Sequence, residues 1–314
     1  MVARAYPRLA LAAAIGFGVA WGGSSAHAEP PARTASAQGA VVHAGAMASD
    51  ESANAQPSRQ RFAFGDLYVP TFFHAVNGKY DLVLHFHGIS SLQETNFEAA
   101  KVNAVVVSVN LGIASDAYSK MFKVPGAFDA LVTQSQQALD KTGRAPGARL
   151  GRIALSAWSA GFAAVGAILR EPANAERVDA VLLADGPHAA YIAPHKIYDA
   201  GVEKWVSFAQ AAMRGDKLFA LTHSSIQTNG YPSTTETIGH ILELTSVEKV
   251  PKVSEGPRGM REIYESNRGG FHVAGFEGQT AKDHIDHIKG MAETLLPFLR
   301  ARWSPVTAAE QGTL

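Results

Sequence analysis

Along residues 61–303, short runs rich in Val, Leu and Ile alternate with stretches in which apolar positions recur every three or four residues. The runs fit strands buried on both faces, and the stretches fit amphipathic helices. Their alternation predicts an α/β fold in a single domain, with a mostly parallel central sheet and helices on both faces. Strands are expected at 61–68, 80–85, 103–109, 152–156, 178–184, 217–222 and, last, 270–276. A helix is expected over 124–142, where Phe128, Leu131, Val132 and Leu139 share a face. Another follows residue 156 to about residue 170, and a closing helix spans 283–302 with Ile288, Met291, Leu295 and Leu299 in step. No internal repeat or second domain interrupts the pattern. Between two late strands, residues 187–216 carry Tyr191, Tyr198, Trp205 and Phe208, which suit either a lid or a plain amphipathic helix packed on the sheet.

The pattern fails over the first 59 residues. Arg4 and Arg8 precede an apolar run over 9–23, and Ala26-His27-Ala28 offers the small-x-small site at which signal peptidase cuts. The run is too short and too rich in Gly and Ala for a spanning helix. Residues 1–28 are therefore expected to be a cleaved secretory signal, with an uncleaved anchor as the alternative. Residues 29–59, rich in Ala, Ser, Gln and Pro, read as a disordered linker, and 304–314 as a flexible tail. The span 60–303 suits one α/β domain.

The chain has no cysteine. It cannot carry a diacylated lipoprotein anchor, and it enters a secreted or periplasmic setting without disulfides. With 28 basic and 28 acidic side chains it has no net field to draw nucleic acid or an anionic membrane, so a small neutral or mixed substrate is the more natural partner. No stable membrane anchor is expected once the signal is removed.

Candidate chemistry begins at Ala157-Trp158-Ser159-Ala160-Gly161, which follows an apolar strand and precedes a helix-forming run. This is the layout of a nucleophile elbow, in which small residues two positions either side of the serine let strand and helix backbones pass closely. The form is A-x-S-x-G; a buried serine in a helix-start turn is the plainer alternative. In an open α/β sheet the ligand site lies at the carboxyl ends of the strands. There the chain places His85-Phe86-His87-Gly88, Ser159, Asp185, His223 and the approach to Asp283-His284. It thus supplies a serine, an acid and a histidine in that order. His85, His87, His188, His223, His272, His284 and His287 are all expected near this edge, so a metal hydrolase built on His85-x-His87, with Asp283 and His284 as further ligands, is an alternative. No spacing such as H-E-x-x-H supports it.

On these motifs, across roughly 81–303, the chain resembles α/β-hydrolase family serine hydrolases of the esterase kind. The resemblance implies the α/β-hydrolase fold, with Ser159 as nucleophile, His284 as base and no cofactor or metal. The oxyanion donors would be the amide of Ala160 and one from the turn at Gly88 and Ile89, Ile89 foremost. His287, one helical turn on, and His272, inside the last strand, compete with His284. Many members carry the acid after the penultimate strand, where this chain has Thr222-His223-Ser224-Ser225 and no carboxylate. Asp185 is the alternative placement, against a reading as a strand-ending Asx turn. Asp283 and Asp286 are expected to cap the closing helix. His87, Trp158 and His223 are candidate substrate contacts, although Trp158 could equally pack under the elbow. The polar loop 228–236 is either a contact loop or a solvated connection. The implied function is cleavage of a small-molecule carboxylic ester through an acyl-serine. An amidase or peptidase using the same machinery, or a non-catalytic binding protein of the cell envelope, are the alternatives.

Overall fold

The computed structural model describes residues 56–304. The expected signal 1–28, most of the linker 29–59 and residues 305–314 of the tail lie outside the described residues. The described chain opens with a hairpin, β1 (Ser58–Phe62) and β2 (Gly65–Val69), followed by β3 (Lys79–Phe86) and α1 (Ser90–Ala100). Next come β4 (Val105–Val109), α2 (Ser115–Phe122), α3 (Ala127–Thr142) and β5 (Arg149–Trp158). A 3-10 turn at Ser159–Gly161 leads into α4 (Phe162–Ile168), α5 (Pro172–Arg177) and β6 (Val178–Ala184). A small hairpin, β7 (Tyr191–Ala193) and β8 (Lys196–Ile197), precedes α6 (Asp199–Met213), β9 (Leu218–His223) and α7 (Thr234–Thr245). The last elements are β10 (Val250–Glu255), β11 (Arg261–Arg268), β12 (Phe271–Phe276), α8 (Ala281–Lys289), α9 (Met291–Thr294) and α10 (Leu296–Trp303).

Among the described residues ten strands join one sheet in the order β1-β2-β4-β3-β5-β6-β9-β12-β11-β10. The middle strands from β4 to β12 pair in parallel, and the strands at both ends are antiparallel. Alternation along the central strands splits the core into two layers. Leu82, Leu84, Leu155, Leu183 and Leu221 meet Leu131, Val165, Trp205 and Ile241 from α3, α4, α6 and α7. Val83, Ala154, Leu182 and Ala220 meet Phe97, Ile288, Leu295 and Leu299 from α1 and the closing helices. Burial on both faces is why these strands read as continuous apolar runs. The architecture is the expected α/β one, a mostly parallel central sheet with helices on both faces, and the carboxyl ends of β3, β5, β6, β9 and β12 lie at one edge.

Several boundaries depart from expectation. The single strand expected at 61–68 is a hairpin, whose turn at Ala63-Phe64 carries no polar or glycine marker. Gly65 lies so close to β4 that a Cβ there would stand 2.0 Å from the Ser108 carbonyl oxygen. Strands β10 and β11 were not expected, because their half-exposed antiparallel faces interleave Lys252, Ser254, Glu262 and Glu265 among the apolar positions. The closing helix breaks at Gly290 and restarts before Pro297, whose missing amide suits a helix start. Trp205 and Phe208 are buried on α6, in line with the packed-helix reading of 187–216. No helix among the described residues is long and apolar enough to cross a membrane.

Candidate active site

Strand β5 reaches Trp158 in extended conformation, and the backbone then turns through Ser159 at φ 48° into the 3-10 turn. A left-handed conformation costs a non-glycine residue about 1–2 kcal/mol and is kept where surrounding packing dictates it. That packing is visible at Gly161. A Cβ there would lie 2.0 Å from the Phe86 carbonyl oxygen and 2.6 Å from its carbon, so any side chain would drive β3 off the elbow. Ala157, two positions before the serine, is fully buried. The amide of Ala160 lies in the first turn, where it has no intrahelical acceptor.

Asp185 and His284 are brought together from the ends of β6 and the start of α8. The Nδ1–H of His284 donates to Asp185 Oδ2 at 2.6 Å, which leaves Nε2 without a protein partner among the described residues. Asp185 is 2% exposed and its side chain is saturated. Oδ1 accepts from the Ser224 amide at 2.8 Å and from the Thr234 hydroxyl at 3.1 Å, and the Ser224 hydroxyl lies 2.9 Å from Oδ2. Burial pushes the Asp185 pKa up, but the fields of His287 and His284 and the hydrogen bonds from His284 and Ser224 outweigh it, holding the carboxyl far below the usual range. Sequence reasoning missed Ser224 and Thr234. The position after β9, vacant of a carboxylate, supplies Ser224 instead, and the start of α7 supplies Thr234, as donors that hold Asp185.

Trp158 links the serine to the base. Its ring lies between His87, stacked at 5.0 Å between centroids, and His284, at 4.7 Å, and its Nε1–H donates to the His284 carbonyl at 2.9 Å. Instead of only lining a pocket or lying under the elbow, Trp158 braces the segment bearing His284. His87 Nδ1 lies 3.0 Å from the Tyr118 hydroxyl, and burial together with the field of His284 lowers its pKa to about 4.

The turn after β3 carries His87 at φ 74° and Gly88 at φ 104°. The amide of His87 is consumed by the Val109 carbonyl at 3.0 Å, and Asn110 Nδ2 donates to the Gly88 carbonyl at 3.2 Å. The amides of Gly88 and Ile89 donate to no protein acceptor among the described residues. A larger residue at 88 would collide with Ile288, whose Cδ1 stands 2.6 Å from where a Cβ would lie.

Other candidates are placed elsewhere. His223, expected as a substrate contact, is fully buried; its Nδ1–H donates to the Ser224 carbonyl at 2.9 Å and its Nε2 accepts from the Tyr264 hydroxyl at 2.5 Å. That expectation is corrected: a closed strand end leaves the ring no surface to offer. His287 is buried beneath the site, with Nδ1 2.9 Å from Thr222 Oγ1 and its other nitrogen unpartnered, and burial lowers its pKa. His272 pairs with Asn267 and stacks on Phe298. Asp283 caps α8 through Thr280, as expected, whereas Asp286 pairs with Arg258 and Lys282. The loop 228–236 ends in a capping box between Ser233 and Glu236 at the start of α7, which carries Thr234 to the acid. His188, beside it, donates from Nδ1 to the Pro232 carbonyl at 3.0 Å and meets the rings of Phe162 and Tyr231 edge-on. His85 spends both ring nitrogens on the protein, and among the described residues no three His, Cys, Asp or Glu side chains gather as a metal centre requires.

A serine on a strained turn, a histidine with one nitrogen anchored and one free, a buried carboxylate and idle amides on two adjacent turns are the groups that acyl transfer requires. No family model matches the sequence, and no curated protein matches it. Among solved structures, a puromycin-hydrolysing peptidase of Mycobacterium tuberculosis aligns over 78% of this chain at 15% identity with a TM-score of 0.39. This chain spans only 39% of that protein's length. Carboxylesterase CesB (YbfK) from Bacillus subtilis aligns over 81% of this chain and 93% of its own, at 9% identity and a TM-score of 0.36. A glucuronoyl esterase from Solibacter usitatus aligns over 76% and 77%, at 13% identity and a TM-score of 0.36.

Proposed function

We propose that this chain is an exported serine hydrolase that cleaves a small-molecule carboxylic ester through an acyl-serine. The observation that carries the reading is the joint placement of Ser159, at φ 48° on the turn after β5, and the His284–Asp185 pair at 2.6 Å, braced against Trp158 beside that serine. In the mechanism, His284 Nε2 takes the Ser159 proton as Oγ attacks the ester carbonyl. The amides of Ala160 and of the turn at Gly88 and Ile89 receive the developing oxyanion. The protonated ring then gives its proton to the departing alkoxide, leaving an acyl-serine and a free alcohol. Water, deprotonated by the same nitrogen, releases the acid and restores Ser159. Asp185 fixes the tautomer and stabilises the imidazolium. Export through the N-terminal signal, into the periplasm or medium, belongs to the same proposal.

The test is hydrolysis of a chromogenic short-chain acyl ester by the wild type and by Ser159→Ala, with fluorophosphonate labelling of both. The wild type is expected to turn over and to be labelled, and Ser159→Ala to do neither. Equal rates from the two proteins, or an inert and unlabelled wild type, would exclude the reading.

A further inference from the structure

The inner end of β3 holds a histidine that the mechanism above does not use. His85 is 1% exposed. Its Nε2 lies 2.8 Å from the His87 carbonyl oxygen and its Nδ1 lies 2.9 Å from Ser156 Oγ. A carbonyl oxygen can only accept, so Nε2 bears the proton. The neutral ring then offers a lone pair at Nδ1, and the Ser156 hydroxyl donates to it. Burial keeps the ring neutral by drawing its pKa down to about 3. The register of β3 on β5 sets His85 opposite Ser156, which lies three positions before Ser159.

The carbonyl that His85 holds belongs to the peptide joining His87 to Gly88. A trans peptide is a rigid plane whose C=O and N–H point in opposite directions. Holding the oxygen of His87 therefore fixes the direction of the Gly88 N–H. This peptide lies between two residues with positive φ, His87 at 74° and Gly88 at 104°, where the backbone gains nothing from regular structure. The next peptide is tied similarly, by Asn110 to the Gly88 carbonyl, but at 3.2 Å and from an exposed side chain. A buried hydrogen bond in a low-dielectric setting holds its partner more firmly than an exposed one.

We infer that His85 is a positioning residue that aims the Gly88 amide as an oxyanion donor, with Ser156 fixing the tautomer that makes this possible. The inference rests on the serine-hydrolase reading and deepens it, since it shifts the second donor from Ile89 to Gly88. The role is indirect: His85 touches neither Ser159 nor the acyl group and acts through one peptide plane.

The experiment compares His85→Met, which keeps bulk and loses the donor, His85→Gln, which keeps an N–H near the Nε2 position, and Ser156→Ala. All three are assayed for kcat and KM on the acyl ester after thermal melts have confirmed folding. His85→Met is expected to lower kcat on the order of 10- to 100-fold with KM little changed, as misaiming one donor of a preorganised site should. His85→Gln is expected to recover most of that loss, and Ser156→Ala to fall between. A folded His85→Met with wild-type kcat overturns the inference, and so does an equal loss in His85→Gln, which would mark a merely structural role. If His85→Met does not fold, Ser156→Ala decides, and an unchanged kcat there overturns the inference. In each of these cases an active wild type and an inert Ser159→Ala leave the serine-hydrolase reading intact, whereas a wild type inert to ester and fluorophosphonate brings down both.

Discussion

Asp185 Oδ2 accepts the Nδ1–H of His284 at 2.6 Å across 99 residues of sequence. The same carboxylate accepts from the Ser224 amide and from the hydroxyls of Ser224 and Thr234, so its orientation is held by groups other than the histidine. Asp185→Asn keeps this shape and reverses its chemistry. If the amide oxygen stays with Ser224, the NH2 group faces His284 and favours the tautomer with its proton on Nε2, which cannot accept from serine. We expect kcat on an acyl ester to fall on the order of 10⁴-fold, the scale known for this exchange in a serine protease. Activity within ten-fold of wild type would show that Asp185 does not act on the base.

His284 and His287 lie one helical turn apart on α8 and fill opposite roles. The first is 20% exposed at the side chain and has one nitrogen free. The second is 1% exposed and held by Thr222, with Nε2 buried and unpartnered. His284→Ala should abolish turnover with little change in melting temperature. His287→Leu should keep kcat within a few-fold, because it removes a buried polar group whose hydrogen bonding is only half satisfied. A larger activity loss in His287→Leu than in His284→Ala would reverse the assignment.

Much of this arrangement was legible in the sequence because its causes are local. The elbow could be read because the close backbone crossing at Gly161 and the full burial of Ala157 favour small residues at fixed offsets from the serine. The central strands could be read because burial on both faces leaves few polar residues in them. The parts that escaped depend on contacts between distant segments. Ser224 and Thr234 are ordinary loop and helix-start residues until the fold carries them to Asp185. His223 and His284 are alike in sequence, each near a strand end, yet one is closed off beneath Tyr264 and the other stands over the site. Strands β10 and β11 escaped because a half-exposed antiparallel face does not carry the apolar run that marks a buried strand.

The elbow geometry sets stability against function at two positions. Ser159→Gly should abolish activity yet raise stability by about 1 kcal/mol, since glycine adopts φ near 48° without the Cβ penalty. Ser159→Ala keeps that penalty and serves as the control. Gly161→Ala should destabilise by about 1–3 kcal/mol, because the added methyl meets the Phe86 carbonyl and must displace β3. Denaturant unfolding of the three variants measures both effects. A Ser159→Gly protein no more stable than Ser159→Ala would mean that the turn is not under backbone strain.

Acid should unfold this protein earlier than its carboxylates alone require. His85 and His223 are buried as neutral rings, and burial lowers their pKa values to about 3 and about 4. In the unfolded chain both return to about 6.5. Above that pH neither state binds the extra protons, and the groups do not affect stability. Between pH 6.5 and 4 the unfolded state binds protons that the folded state refuses, so unfolding becomes easier as pH falls. Each group contributes a slope of up to about 1.4 kcal/mol per pH unit. Asp185 works in a lower window: its depressed pKa supplies stability that persists down to the ordinary carboxylate range and is lost only below it. The unfolding free energy is therefore expected to be flat from pH 8 to 7 and to drop between pH 6.5 and 5. His85→Gln, which cannot titrate, should show a shallower drop over the same interval. Equal stability at pH 7 and pH 5 in the wild type would mean that the buried rings take up protons without cost. A slope unchanged by His85→Gln would move the acid sensitivity to the other histidines.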